Sequence, residues 1–245
     1  MKAIRNIGLL ALFVVAVGCN APKAKTTDTS EKQTKTAETT PAKIELPDAL
    51  KSAAWDYSGL GETRMLTYTG KIAPGAMESD GTQTSELQSV KDGVATYLVD
   101  RTGGLALMGT DTVELSDKGV STTGSSIGQF EEPALELPAD FAVGKTWESK
   151  ATITAQGIKR TLVSENKATK EEKVTVQAGT FDCIVVESSV TITVSGSPDK
   201  SMNGSSKSKL TTYYAKGVGT VKLVGKGKKP DGELADFHIE LKKVG

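Results

Sequence analysis

Apolar and polar residues alternate with a period of two from Leu66 to the end of the chain, which predicts β-strands rather than helices. Glu86–Val90 and Val94–Val99 flank Lys91-Asp92-Gly93, a hairpin-turn sequence. Leu105–Met108 and Val113–Leu115 read as the next strands, separated by Gly109 and ended by Asp117-Lys118-Gly119. Trp147, Ala151 and Ile153 mark another strand, Gly157 turns the chain into Ile158–Val163, and Val174 and Val176 mark one more. The strongest run is Phe181–Val194. Ile184, Val186, Val190, Ile192 and Val194 share one face there, with Glu187, Ser189, Thr191 and Thr193 on the other. In its first half Phe181, Cys183 and Val185 oppose Ile184 and Val186, so this strand is predicted to begin between two layers and end with one side in water. Lys207–Tyr214, Val218–Val224 and Leu234–Leu241 complete a meander, with Pro230-Asp231-Gly232 turning between the last two. Pro47–Trp55 is the one helical candidate, with Pro47 suited to a first turn. The expectation for residues 44–245 is an all-β domain: a single antiparallel meander forming a curved sheet or a partly open barrel.

Two segments ahead of this domain break the pattern. Residues 20–43 contain no Val, Ile, Leu, Met or aromatic residue. They cannot bury enough apolar surface to offset the entropy of ordering, and read as a disordered, solvated tether with a reach of roughly 28 Å. Before them, Ile7–Val17 is an uncharged apolar run behind Lys2 and Arg5. It falls well short of the ~20 residues that span a bilayer as a helix. Ala16-Val17-Gly18-Cys19 closes this run and resembles the lipobox of bacterial lipoproteins. The resemblance implies that residues 1–18 are a signal peptide and that Cys19 is the lipidation site. It also implies that residues 19–43 tether the domain to a membrane surface outside the cytoplasm. One acyl chain binds a membrane marginally, whereas the two or three of a lipoprotein hold it firmly. Asn20 stands where an Asp retains lipoproteins at the inner membrane of enteric bacteria, which leans the expectation toward the outer membrane.

Charge adds an exclusion. The chain carries 30 basic and 30 acidic residues, and residues 44–245 alone are net −4. No basic face is offered to nucleic acid. Beyond Cys19 the only cysteine is Cys183, so the mature chain forms no internal disulfide and depends on its core.

Three segments resemble a family of exported bacterial β domains, TapB-like, with a fold called YmcC-like and no known activity. They are Leu137-Pro138 with Val143-Gly144-Lys145-Thr146-Trp147, the run Val174-Thr175-Val176-Gln177-Ala178-Gly179-Thr180-Phe181-Asp182-Cys183, and the run Tyr213-Tyr214-Ala215-Lys216-Gly217-Val218-Gly219-Thr220-Val221-Lys222. The resemblance covers Leu135 to Val224 and implies a curved antiparallel sheet; it implies no chemistry. Read physically, Ala178-Gly179-Thr180 is a turn feeding the central strand, and Gly217-Val218-Gly219 leads into a strand rather than the helix N-terminus a phosphate cradle needs. Trp147 reads as a core residue.

Candidate catalytic groups are few. His238 is the only histidine, and it shares the wet face of its strand with Asp236, Glu240 and Lys242, opposite Ala235, Phe237, Ile239 and Leu241. Cys183 with His238 is the one nucleophilic pairing on offer, but an apolar strand context buries a thiol and keeps it inert. Glu131-Glu132 and Glu171-Glu172 read as loop carboxylates pointing in different directions. Asp199, Ser201, Asn203 and Gly204 match the opening of a calcium loop, but Leu210 occupies the position of the bidentate Glu. Gly225-Lys226-Gly227-Lys228-Lys229 reads as a solvated turn. No metal, cofactor or catalytic residue is assigned. The expectation is a lipid-anchored, non-catalytic envelope domain whose partner is another envelope protein, a cell-wall element or an apolar small molecule; the alternative is an envelope hydrolase. A carrier needs an apolar concavity, a hydrolase converging polar groups in a cleft, and an interaction module an exposed edge or patch.

Overall fold

The computed structural model describes residues 45–61, 63–72, 76–228 and 234–245; the signal segment, Cys19, the tether, Lys229 and the Pro230-Asp231-Gly232 turn lie outside them. Among the described residues the chain forms β1 (Thr63–Lys71), β2 (Ser79–Lys91), β3 (Val94–Gly103), β4 (Asp111–Ser116), β5 (Gly119–Ser125), β6 (Gln129–Phe130) and β7 (Ala134–Pro138). The second half adds β8 (Thr146–Ala155), β9 (Ile158–Val176), β10 (Gly179–Ser195), β11 (Gly204–Ala215), β12 (Gly219–Lys228) and β13 (Leu234–Val244). All thirteen join one antiparallel sheet in the order β6-β8-β9-β10-β11-β12-β13-β1-β2-β3-β4-β5-β7. The all-β meander is therefore as expected. The sheet curls until β7 and β8, from its two ends, approach within 8 Å at Cα without forming a ladder. The barrel is left open along this seam.

Local signals read from the sequence mostly hold. Asp92 and Gly93 both have positive φ, 51° and 76°, as the tight turn between β2 and β3 requires. In β10, Cys183, Ile184, Val185 and Val186 are all buried, and beyond Glu187 burial alternates. Four expectations need correction. Leu105–Met108 is not a strand: it follows a turn and forms a short 3₁₀ segment at Ala106–Met108. Ile158–Val163 and Val174–Val176 belong to one 19-residue strand, whose polar middle is held by pairing to β8 and β10 on its two sides. Glu171 and Glu172 consequently lie within β9, not in a loop. Gly225, Lys226 and Gly227 lie within β12, because a side chain at Gly225 would collide with the Phe237 ring, 2.3 Å from Cζ, and the strand uses the missing Cβ to seat that ring.

The helical candidate resolves into a 3₁₀ turn at Asp48–Leu50 followed by α1 (Ala53–Ser58). Ser52 caps α1 by accepting a hydrogen bond from the Trp55 backbone N–H at 3.4 Å, and Gly59 ends it in the left-handed conformation. This single-turn element closes one end of the curled sheet. Its Trp55 lies 6.1 Å from Tyr97, and Tyr57 meets Phe141 edge-on at 5.3 Å. Phe141 in turn meets Trp147 and Tyr214.

The Tyr213–Lys222 segment docks this plug. The Gly217 N–H donates to the Asp56 carbonyl at 2.6 Å, and Lys216 pairs with the Asp56 carboxylate at 2.9 Å. Gly219, at φ 96°, lies so close to Gly59 that a Cβ there would stand 2.6 Å from the Gly59 Cα. A second cluster sets the tip of the β9–β10 hairpin, with Val174, Val176 and Cys183, against Leu66, Val221 and Leu241. Gly219→Ala should therefore push the plug outward and impose an unfavourable φ, lowering stability by about 3 kcal/mol in urea denaturation. A loss below about 1 kcal/mol would show that the plug is not seated on this glycine.

Candidate functional site

The inward faces of the strands do not fill the space they enclose. A cavity of about 320 Å³ remains, walled largely by apolar side chains from both halves of the sheet, including Val99, Val113, Leu137, Leu162, Val186 and Leu223. Leu135, Glu136 and Leu137 of β7 face Trp147, Ser149 and Ala151 of β8 across it, so the unpaired seam forms its lips. A wider trough of about 600 Å³ crosses β8–β11 near Glu148, Glu165 and Lys209. It is the more open of the two and shares Trp147, Asn166, Ser188 and Leu210 with the wall of the lumen. The lumen is the more enclosed of the two.

A polar cluster sits within this apolar wall. Arg101 on β3 donates from Nη1 to the Asp111 carboxylate at 2.5 Å and to the Gly109 carbonyl at 3.2 Å, and from Nε to Gln83 at 3.1 Å. The two side chains of the pair are only 11% and 10% exposed. Arg101 occupies one oxygen of Asp111; the other, Oδ1, is buried with no hydrogen-bond partner among the described residues.

Glu136 reaches the same space through an irregularity of the sheet. β5 pairs Val120 with Leu137 and Ser121 with Leu135, which leaves Glu136 as an extra residue in a β-bulge. Bulges re-aim side chains, and this one turns Glu136 into the lumen. There the Thr122 hydroxyl donates to it at 3.1 Å. By surface area Glu136 is exposed, and it lines the mouth of the cavity, where the surrounding protein still partly desolvates its carboxylate. Burial raises its pKa above the ordinary 4.5 and the charge of Asp111 adds to the shift, while the Thr122 hydrogen bond and Arg101 oppose it. Two phenols also line the cavity, Tyr68 buried and Tyr214 half-buried. Tyr68 donates to the Thr220 carbonyl at 3.0 Å, and burial pushes both Tyr68 and Tyr214 above the ordinary tyrosine range.

The residues singled out from the sequence do not converge. Cys183 is 1% exposed and free, its Sγ 3.7 Å from the Phe181 carbonyl, and burial pushes its pKa up to about 11. His238 lies on β13 between Lys71 and Val224, half-buried on the face opposite Phe237. β11 and β12 separate the two residues, a lateral distance of about 14 Å. Glu131 and Glu132 pair with Lys159 and Lys150. In the loop after β10, Asn203 spends its side-chain amide on the backbone of Ser197, accepting at 3.0 Å and donating at 3.1 Å, and Leu210 lines the lumen. Trp147 packs against the main core cluster as expected, and it also walls the cavity, its indole N–H buried without a hydrogen-bond partner among the described residues. Arg101, Asp111, Glu136 and the two tyrosines were not anticipated. For Arg101 a signal existed: it continues the inward parity of Tyr97 and Val99 along β3.

The DUF3108-like family model matches residues 115–225, from β4 into β12. A search of curated proteins finds no match. Among solved structures, a protein described as exported, with a YmcC-like fold, from Bacteroides fragilis is similar over 77% of this chain and 98% of its own, at 13% identity and a TM-score of 0.51. A protein described as a lipoprotein from Parabacteroides distasonis is similar over 77% of this chain and 97% of its own, at 11% identity and a TM-score of 0.46. The hypothetical lipoprotein YmcC of Escherichia coli gives 78% and 88% coverage, 11% identity and a TM-score of 0.31. At these identities the first likeness speaks for the fold, which is the YmcC-like sheet expected from the motifs.

The raised pKa of Glu136 has a stability consequence with a definite sign. The folded state keeps this carboxyl protonated to higher pH than the unfolded chain does. It therefore costs no stability below the ordinary value of 4.5 and becomes destabilising as pH rises through and beyond it. Glu136→Gln should melt higher than the parent at about pH 7, with the difference shrinking toward about pH 4 in thermal melts. A constant difference across that window would show that the lumen does not raise the pKa of this carboxyl.

Proposed function

We propose that this protein is a lipid-anchored, non-catalytic carrier of the cell envelope that holds an apolar small molecule within its curled sheet. The observation that carries the reading is the unfilled lumen of about 320 Å³, walled mostly by apolar side chains and open along the β7–β8 seam. A folded interior is normally packed to crystal density, so a persistent apolar space with a few inward polar groups is the signature of a ligand site. The volume falls at the small end of the ~300–1,000 Å³ range of such sites. The lipobox at Ala16-Val17-Gly18-Cys19 and the polar tether supply the attachment, and Asn20 favours the outer membrane. An exported protein of similar fold supports a place outside the cytoplasm.

Glu136 and Asp111, two carboxylates in one cleft with one pKa raised, favour hydrolysis as a second reading. The carrier reading requires Glu136→Gln to bind the same ligands as the parent and no ester or glycoside to be turned over.

The neutral fluorophore 1-N-phenylnaphthylamine tests the lumen. It should brighten on binding with a 1:1 stoichiometry, and Ser149→Trp, which fills the lips of the cavity, should weaken binding at least about tenfold while leaving the circular dichroism unchanged. Equal binding by the parent and the filled variant would place the apolar site elsewhere.

The anchor has its own check. Cys19→Ser should abolish labelling by a fatty-acid probe and release the protein from the membrane fraction. Continued labelling of that variant would remove the lipoprotein reading.

A further inference from the structure

Arg160 lies buried on the inward face of β9 and faces no counter-charge among the described residues. It is 6% exposed, and its Nε and Nη1 are buried without a hydrogen-bond partner among the described residues. Ile158, Arg160 and Leu162 share one face by the period of two, and Leu162 lines the cavity. The residues directly opposite Arg160 are Ile153 of β8, 2% exposed, and Val194 of β10, 7% exposed. The neighbouring inward positions on these strands are Ala151, Ala155, Ile158, Leu162 and Ile192, none of them acidic. The adjacent Lys159 points the other way and pairs with Glu131.

An unpaired buried cation is among the most costly arrangements a fold carries, and a ligand that supplied the missing charge would relieve that cost. The position fits an elongated guest. Trp147 opposite Asn166 and Ile153 opposite Arg160 lie six residues apart on the β8–β9 ladder, about 20 Å. The aromatic plug thus marks one end of the lumen wall, and Arg160 lies one inward position beyond Leu162, where the cavity-lining residues of β9 end, so that a head group reaches it past Leu162; the carboxylates Asp111 and Glu136 lie on β4 and β7. The planar guanidinium fork suits a carboxylate or phosphate held by two parallel hydrogen bonds.

We propose that Arg160 is the head-group site for a single-chain anionic amphiphile, its carboxylate or phosphate on the guanidinium and its chain in the lumen. This inference rests on the carrier reading, and the test separates the two. Dodecanoic acid, monododecyl phosphate and 1-dodecanol are each titrated against bound 1-N-phenylnaphthylamine at about pH 8, where the two acids are anionic. At least one anion should displace the probe at a concentration about tenfold or more below that of dodecanol, as a charge-assisted hydrogen bond gives, and the tighter of the two identifies the head group. Arg160→Gln should erase that preference while leaving dodecanol displacement unchanged, and Arg160→Lys should retain part of it. Without ligand, Arg160→Met should melt several degrees higher, because it removes an unpaired charge. A probe that binds and is displaced equally by dodecanol and by both anions overturns the Arg160 assignment alone. A parent protein that binds neither the probe nor any of the three overturns the carrier reading and this inference together. A lower melting temperature for Arg160→Met, with the anion preference intact, would make Arg160 a structural residue and likewise overturn the assignment.

Discussion

The pairing of the last strand with the first holds this fold together. Counted along the sheet, β6 and β8–β13 form one half and β1–β5 with β7 the other, and among the described residues the ladder that joins them is the one between β13 and β1, from Leu66 opposite Val244 to Lys71 opposite His238. Without it there are two smaller sheets, each with an exposed inner face and a raw edge. With it, thirteen twisted strands curl far enough to bring the free edges of β7 and β8 face to face. The lumen exists because that curl encloses more space than the inward side chains occupy. The ladder links residues about 175 positions apart, so it closes only after a large loop entropy has been met. The local hairpins, with β9 and β10 the longest, can form beforehand and supply its template.

Several polar groups in and beside the lumen are arranged against stability. Among the described residues, Arg101 satisfies one oxygen of Asp111 and leaves the other without a partner, Glu136 has a raised pKa, and Arg160, just beyond the lumen wall, is buried with no acid beside it. A core selected for stability alone would place leucine or valine at such sites, since replacing buried charges by apolar residues is often neutral or favourable. The outer surface shows the contrasting arrangement. Lys150 and Glu132, Lys159 and Glu131, and Lys222 and Glu240 are paired and solvated. Of the buried polar atoms without a partner among the described residues, Asp111 Oδ1 and Trp147 Nε1 belong to residues that line the lumen.

The period of two made the strands legible, because a half-buried strand writes its burial directly into alternate residues. β10 could be read almost residue by residue, including its change from two covered faces to one. Errors arose where pairing overrides pattern. The polar middle of β9 looks like loop, yet it is a strand because neighbours bond it from both sides. The lysines and glycines of β12 look like a turn, yet Gly225 is there to admit the Phe237 ring. Arg160 was legible in principle, as a charge in the inward parity of Ile158 and Leu162. Glu136 was not. Alternation places it opposite Leu135 and Leu137, on the wet side, and only the register shift against β5 brings it in. A bulge is a relation between two strands and leaves no mark in the sequence of one.

That bulge also bears on why the barrel stays open. Closing the seam would need a regular ladder between β7 and β8. β7 is only five residues long, it ends in Pro138, which has no amide to donate, and its middle is distorted by the extra residue at Glu136. The facing edge of β8 carries Glu148 and Lys150, charges that discourage strand addition. The distortion that turns an acid into the lumen thus also spoils the edge that would shut it. A regular β7, one residue shorter, would lose the inward carboxylate and gain a continuous edge for β8 to pair with. The inward carboxylate of Glu136 and part of the irregularity of the β7 edge thus share one origin, the extra residue of the bulge.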